Sequence, residues 1–280
     1  MKCKSGKNRG KRNACFFLGI LSLVTVVLCL SASCNADGRK AQKYEYGVFL
    51  NADRTAVPKL KNYETVVIDA QYFSKKDIRK LHADGTKVYS YLNIGSVENF
   101  RPYYKTYEHL AIGDYENWEE EKWVNVADKD WQEFMEKKGV DGFFIDNCDV
   151  YDYAHKKDIF DGLTVILKKI RAMGKPVVVN GGDIYVTAYQ SRYGSAADIM
   201  TGVNQESVWS RIDFTTKTFH TQKKTEREYF CQYLQACKAD GMDVYLLEYT
   251  TDHKLIRRIK KYCRKKKYDY YIADSLELGI

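Results

Sequence analysis

The chain carries a recurrent set of polar residues at or just beyond the ends of short apolar runs: Asp69, Asn93, Asp146, Asp149, Asn180, Asn204, Glu206, Glu248 and Asp274. Histidine is scarce. His82, His109, His155, His220 and His253 fall mostly in helical or linking segments. That pattern argues against a histidine-rich metal site and against a Ser-His-Asp triad, and no Gly-x-Ser-x-Gly elbow occurs. No metal and no cofactor is therefore expected. Carboxylates, amides and tyrosines suit chemistry on sugars. Cleaving a glycosidic bond takes two carboxyl groups on opposite sides of it. One protonates the leaving oxygen, and the other attacks carbon or activates water. Amides bind hydroxyls, and Tyr91, Trp209 and Tyr249 offer flat faces for sugar rings, although any one of them serves equally well as packing.

Such residues need a frame that brings distant positions together. In Gly142-Phe143-Phe144-Ile145-Asp146-Asn147-Cys148-Asp149 an apolar run stops abruptly at carboxylates. A short apolar run between turn residues fits a strand buried on both faces. An acid where that strand emerges is a common address for a catalytic group in a barrel, and also a common cap or turn residue. The same form recurs along the chain. Strands are expected at 46–51, 65–70, 87–96, 143–145, 176–182, 197–207, 243–249 and 268–274. Helical periodicity falls between them: from Ser74 as N-cap to Gly85, from Asp128 to Lys138, then at 157–173, 183–193, 225–239 and 255–266. Six of the eight strands end in Asp, Glu or Asn. Alternating strands and helices with polar strand ends predict a (β/α)8 TIM barrel over 37–280, delivering those groups to one rim. A doubly wound sheet is disfavoured, since Asn51-Ala52-Asp53-Arg54 stands where a glycine-rich phosphate turn belongs. The segment 97–122, with Tyr103, Tyr104, Tyr107, Tyr115 and Trp118, has no clear period and reads as a functional loop or a small insertion.

Residues 1–36 stand apart. Lys2, Lys4, Lys7, Arg9, Lys11 and Arg12 precede an apolar stretch from Ala14 to Leu30 and then the small residues Ser31 to Ala36. This is the three-part form of an export signal, and its apolar run is long enough to serve as an uncleaved anchor. Cys34 adds lipid attachment as a third option. Removing those six cations from the formal net charge of +8 leaves +2 for the rest. The basic balance thus belongs to the leader and does not point to nucleic acid. The run Lys260-Lys261 with Arg264 to Lys267 reads as the solvated face of a late helix. A secreted or surface-held monomer is expected, touching membrane only through its leader. Of the eight cysteines four lie in the leader, and the others show neither metal spacing nor a disulfide framework.

Several stretches resemble one family. Tyr46-Gly47-Val48-Phe49, Val67-Ile68-Asp69, Tyr91-Leu92-Asn93-Ile94-Gly95-Ser96-Val97-Glu98, the Gly142–Asp149 stretch, Asn180-Gly181-Gly182 and Gly202-Val203-Asn204-Gln205-Glu206-Ser207 are similar to the motifs of glycoside hydrolase family 114. These are the endo-α-1,4-polygalactosaminidases and their bacterial relatives. The resemblance implies a barrel and an α-1,4-linked galactosamine-containing polysaccharide as substrate. It implies Asp146 as nucleophile, Glu206 as acid/base, and a sugar pocket lined by Asp69, Asn93, Asn180 and Glu248. Members associated with polygalactosaminidase activity carry Asn-Glu-Gln-Cys where this chain has Asn204-Gln205-Glu206-Ser207, which leaves Glu248 as the alternative acid/base. Asp149 either holds its loop or binds an amine. A retaining mechanism would place Asp146 and Glu206 about 5–5.5 Å apart, and inversion roughly 6.5–9.5 Å. An acid-rich rim would favour a cationic amino-sugar polymer. The alternative function is a barrel that binds surface glycan without cleaving it.

Overall fold

The computed structural model describes residues 43–116, 118–131 and 142–280. The expected leader and most of the expected helix from Asp128 to Lys138 lie outside the described residues. In chain order the strands are β1 (Tyr44–Phe49), β2 (Tyr63–Ile68), β3 (Lys87–Asn93), β4 (Ser96–Glu98), β5 (Ala111–Asp114), β6 (Glu121–Val124) and β7 (Phe143–Asp146). They continue as β8 (Val177–Asn180), β9 (Gly202–Glu206), β10 (Ser210–Asp213), β11 (Thr218–Thr221), β12 (Asp243–Tyr249) and β13 (Asp269–Ala273). The described helices are α1 (Val57–Leu60), α2 (Lys75–Ala83), α3 (Tyr104–Tyr107), α4 (Val150–Ala154), α5 (Lys157–Ala172), α6 (Asp183–Tyr193), α7 (Lys224–Ala239) and α8 (His253–Lys266).

Eight strands pair in parallel in the order β1-β2-β3-β7-β8-β9-β12-β13. β13 returns to β1, where Phe49 meets Tyr271 with ring centroids 5.0 Å apart and the Asn51 N–H donates to the Leu278 carbonyl at 3.3 Å. The result is a nearly closed (β/α)8 barrel with helices outside it, as the alternation of apolar runs predicts.

The period of two along each strand sorts side chains between two cores. Tyr46, Val48, Val67, Phe144, Val178, Tyr245 and Leu247 fill the barrel interior. Phe143, Ile145, Val177, Val179, Val203 and Leu246 face outward and pack with Ile159, Leu163, Ile166, Leu167 and Ile170 of α5. Those five recur at helical spacing, so one stripe of α5 is buried while its lysines stay in water. Burying each such side chain stabilises the fold by roughly 1.5–3 kcal/mol. Ser74 caps α2 as expected: Asp77 N–H donates to Ser74 Oγ at 3.3 Å, and the Ser74 N–H returns to Asp77 Oδ2 at 3.3 Å.

Three differences from the sequence reading bear on the site. The third strand stops at Asn93, and Ser96 begins a separate antiparallel sheet ordered β4-β6-β5. The segment 97–122 is therefore an insertion with its own strands. The sixth strand starts at Gly202 rather than Ala197, because residues 197–199 form a turn in which the Ile199 N–H bonds to the Ala196 carbonyl. Third, β10 and β11 form an antiparallel hairpin after β9. Its four-residue strands carry too little alternation to be read from sequence. Cys148, Cys231, Cys237 and Cys263 are free thiols.

Candidate active site

Strand parity decides what reaches the barrel mouth. In β7, Phe144 points inward, so Asp146 two residues on shares its side. In β9, Asn204 and Glu206 share the inner face, while Gln205 turns outward with Val203. The adjacent strands β7, β8 and β9 thus present Asp146, Asn180 and Glu206 side by side.

Asn180 joins the two acids. Its Nδ2 donates to Asp146 Oδ1 at 3.0 Å and to Glu206 Oε1 at 2.8 Å. These two oxygens are therefore separated by no more than the sum of those lengths, about 6 Å. The orientation of the amide is set from behind. Asn204 Nδ2 donates to Asn180 Oδ1 at 2.6 Å, and Tyr46 Oη donates to Asn204 Oδ1 at 3.3 Å. With its oxygen occupied by a donor, Asn180 has only N–H groups left for the acids.

Each acid also holds a tyrosine. Tyr91 Oη donates to Asp146 Oδ2 at 3.0 Å, and the Asn147 N–H donates to Asp146 Oδ1 at 3.0 Å. Tyr249 Oη donates to Glu206 Oε2 at 2.8 Å. Burial raises the pKa of Asp146, and the bonds from Asn180 and Tyr91 oppose that rise. Burial, and then the nearby charge of Asp146, push Glu206 up to about 7. Two close carboxyls cannot both ionise easily, so near neutral pH one is charged while the other keeps a proton.

A second ring of residues steadies Asp146. Asn147 sits in the left-handed region, φ 64°. Its Nδ2 donates to Ser96 Oγ at 2.8 Å and to Glu121 Oε1 at 2.9 Å, and its Oδ1 accepts from Tyr115 Oη at 2.9 Å. Asn93 Nδ2 donates to Ser96 Oγ at 2.5 Å and to Glu121 Oε1 at 2.8 Å, and Ser96 Oγ also donates to Glu121 Oε1. Glu121 comes from the inserted β6. Burial pushes its pKa up to about 7. Gly95 is required here by space: a Cβ would lie 1.8 Å from the Asn147 carbonyl oxygen.

The remaining expected residues divide. Asp149 accepts the Gly182 N–H at 3.1 Å and is raised to about 7 by burial and by Asp146. It thus holds the turn after β8 against β7. Asp69 is spent on protein, accepting from Arg101 Nη1 at 2.5 Å and Gln71 Nε2 at 2.7 Å. Arg101 in turn donates to Glu98 Oε1 at 2.7 Å and lies 6.0 Å from the Tyr91 ring. Glu248 lies on the opposite face of β12 from Tyr249. It is fully buried and accepts the Trp209 N–H at 2.9 Å, the Ser210 N–H at 2.8 Å and Ser210 Oγ at 2.6 Å. Trp209 packs against Tyr262, Arg227 and Arg258 of α7 and α8. Neither Glu248 nor Trp209 is brought to the Asp146–Glu206 pair; the two hold the β9–β10 connection to the barrel wall. Asp274 is exposed just past β13.

Glu121, Ser96, Asn147 and Tyr115 escaped the sequence reading as site residues because three of them act through an insertion without a readable period. Asn204 carried a usable signal: two residues from Glu206 in a strand, it must share its face.

The family profile for glycoside-hydrolase family GH114 matches residues 30–277. Among solved structures, the glycoside hydrolase domain of PelA from Pseudomonas aeruginosa is 15% identical with a TM-score of 0.70, covering 84% of this chain and 96% of its own. Ega3 from Aspergillus fumigatus, solved in complex with galactosamine, is 18% identical with a TM-score of 0.65, covering 86% and 94%. The α-galactosidase TtGalA from Thermus thermophilus shares the fold more distantly, 8% identical with a TM-score of 0.54 over 86% of this chain and 60% of its own. No curated protein matches the chain.

Proposed function

The chain belongs to glycoside hydrolase family GH114 and is a glycoside hydrolase; from that premise we propose that it cleaves α-1,4-linked galactosamine-containing polysaccharide by a retaining mechanism. The observation that carries this is the single Asn180 amide spanning Asp146 and Glu206. An amide that reaches both oxygens holds them near the separation at which one carboxylate attacks carbon directly. The galactosamine bound to Ega3, a structure of the same fold, and the acid-rich surroundings of the pair support the choice of sugar.

Asp146 is the nucleophile. Among the described residues its Oδ1 accepts two donors and its Oδ2 one, Tyr91, so Oδ2 keeps the more available lone pair. In the first step Oδ2 forms a bond to the anomeric carbon while the bond to the glycosidic oxygen breaks. The proton of Glu206, retained near neutral pH by its pKa of about 7, passes to that leaving oxygen. In the second step the Glu206 carboxylate takes a proton from water. The resulting hydroxide character attacks the anomeric carbon, and Asp146 leaves as carboxylate. Two inversions give net retention. Tyr91 and Tyr249 hold the acids in position and return charge stabilisation as each becomes anionic.

The leader form of residues 1–36 supports export to the polysaccharide outside the cytoplasm, with retention at the surface as a lipid-anchored or membrane-anchored protein as the variant of that reading. Cell fractionation and mass determination of the mature protein test it; full-length protein confined to the cytoplasm would rule it out.

The deciding experiment is product analysis on partly deacetylated α-1,4-galactosaminan. Oligosaccharides with an initial α-configured reducing end are expected, and Asp146→Asn and Glu206→Gln should each abolish their release. Unchanged release by both variants overturns the residue assignment. An initial β product overturns retention.

A further inference from the structure

Trp118 and Phe214 belong to the two separate additions to the barrel, yet their rings meet edge to face, with centroids 6.1 Å apart and an interplanar angle of 75°. Trp118 lies between β5 and β6, in the sheet that follows β3. Phe214 lies at the turn of the β10–β11 hairpin that follows β9. In the barrel order β7 and β8 stand between β3 and β9, so the contact joins arms from different sides of the rim.

Each arm is fastened to one member of the acid pair. Tyr115, on the Trp118 arm, donates to Asn147 beside Asp146. Phe219, on the hairpin, packs on Tyr249 with centroids 5.8 Å apart, and Tyr249 holds Glu206. Both arms are therefore tied to residues that hold the acid pair.

Packing does not require the Trp118–Phe214 contact. The inserted sheet has its own aromatic core, in which Trp123 is 8% exposed and sits 4.3 Å from Tyr115. Trp118 and Phe214 remain 43% and 38% exposed, so each keeps a large apolar surface in water. Glu116, Glu119 and Glu120 are exposed around Trp118, while Lys217 is the exposed cation on the hairpin turn that carries Phe214.

We propose that Trp118 and Phe214 form a second sugar subsite, away from the scissile bond, on which a further ring of a cationic amino-sugar chain stacks. The C–H face of a pyranose covers the exposed aromatic surface, while the flanking glutamates attract the free amines. This rests on the proposed substrate. A neutral chain would gain the stacking without the charge.

The test uses the full chain carrying Asp146→Asn, titrated with α-1,4-galactosamine oligosaccharides from disaccharide to octasaccharide. Trp118→Ala and Phe214→Ala are expected to weaken binding of the longest oligomers about tenfold or more, and to leave the disaccharide unchanged. Trp118→Tyr should retain most of the affinity. The gain with length should also shrink as salt is raised or when the oligomers are fully N-acetylated. Equal weakening at every length would make the pair a structural brace and overturn the subsite, as would unchanged binding at every length. If the Asp146→Asn protein binds no galactosamine oligomer of any length, the proposed substrate itself fails and the subsite falls with it. Binding without length dependence removes the subsite alone.

Discussion

Asn204 donates its side-chain amide to Asn180 Oδ1 at 2.6 Å, and this one bond decides which end of Asn180 faces the acids. Without it the Asn180 amide is free to turn its carbonyl toward Asp146 and Glu206, setting oxygen against oxygen. Asn180→Ala removes the shared donor and should lower kcat about 100-fold, in the range seen for loss of one preorganised charge-stabilising donor. Asn204→Leu leaves Asn180 in place but unanchored. It should lower kcat by less than Asn180→Ala, with KM nearly unchanged. Steady-state kinetics of the two variants on one substrate checks the order.

The same site makes a signed pH prediction. In the proposed mechanism the reaction needs Asp146 ionised and Glu206 protonated. The rate should therefore fall on the acid side as Asp146 takes a proton, and on the alkaline side as Glu206 loses one at about 7. Tyr249 donates to the Glu206 carboxylate and so lowers its pKa. Tyr249→Phe removes that donor, and the alkaline limb of kcat/KM should move to higher pH. A limb that stays in place or moves down would show that Glu206 is not the group titrating there.

Stability should follow pH in the direction opposite to that of a salt-bridged carboxylate. Glu121, Asp149, Glu206 and Glu248 all have pKa values raised to about 7, mainly by burial. A raised carboxyl binds its proton more tightly in the folded state. Its contribution is thus full below the unfolded value, near 4, and is lost as pH rises through about 7. The melting temperature should be higher near pH 5 than near pH 8. Glu206→Gln, which keeps the shape without the charge, should flatten that slope in thermal unfolding measured across the range.

Glu248 separates architecture from chemistry. Glu248→Ala leaves the buried Trp209 and Ser210 N–H groups and the Ser210 hydroxyl without an acceptor, and should cost about 3 kcal/mol or more in urea unfolding. Glu248→Gln keeps one acceptor oxygen and should recover much of that loss. At a temperature where the folded state persists, both variants should retain cleavage, whereas Glu206→Gln should not.

The barrel was legible because its signal is local. A strand buried on both faces must read as an apolar run, and Phe143-Phe144-Ile145, Val177-Val178-Val179 and Leu246-Leu247 all do. Asp146 and Glu206 were legible as acids at strand ends. The insertion was visible only as a missing period, because β4, β5 and β6 are three or four residues long and contribute little alternation. Its contribution to the site, Glu121 and Tyr115, went unread for that reason.

Glu248 shows where local pattern stops. It ends a strand, as Asp146 does, and carries the same carboxyl chemistry. Parity along β12 says only that Glu248 and Tyr249 face opposite ways; it does not say which way is inward. That choice depends on which face of β12 meets Tyr46 and which meets the helices, and it is made by packing between segments far apart in the chain. The sequence by itself determined the barrel, the acids available to its rim and the alternation that pairs Asn204 with Glu206. The tertiary structure decided which two acids share one amide, because only strand pairing across β7, β8 and β9 sets Ile145 beside Val179 and Asn180 beside Asn204, with Glu206 two residues further along the same face of β9.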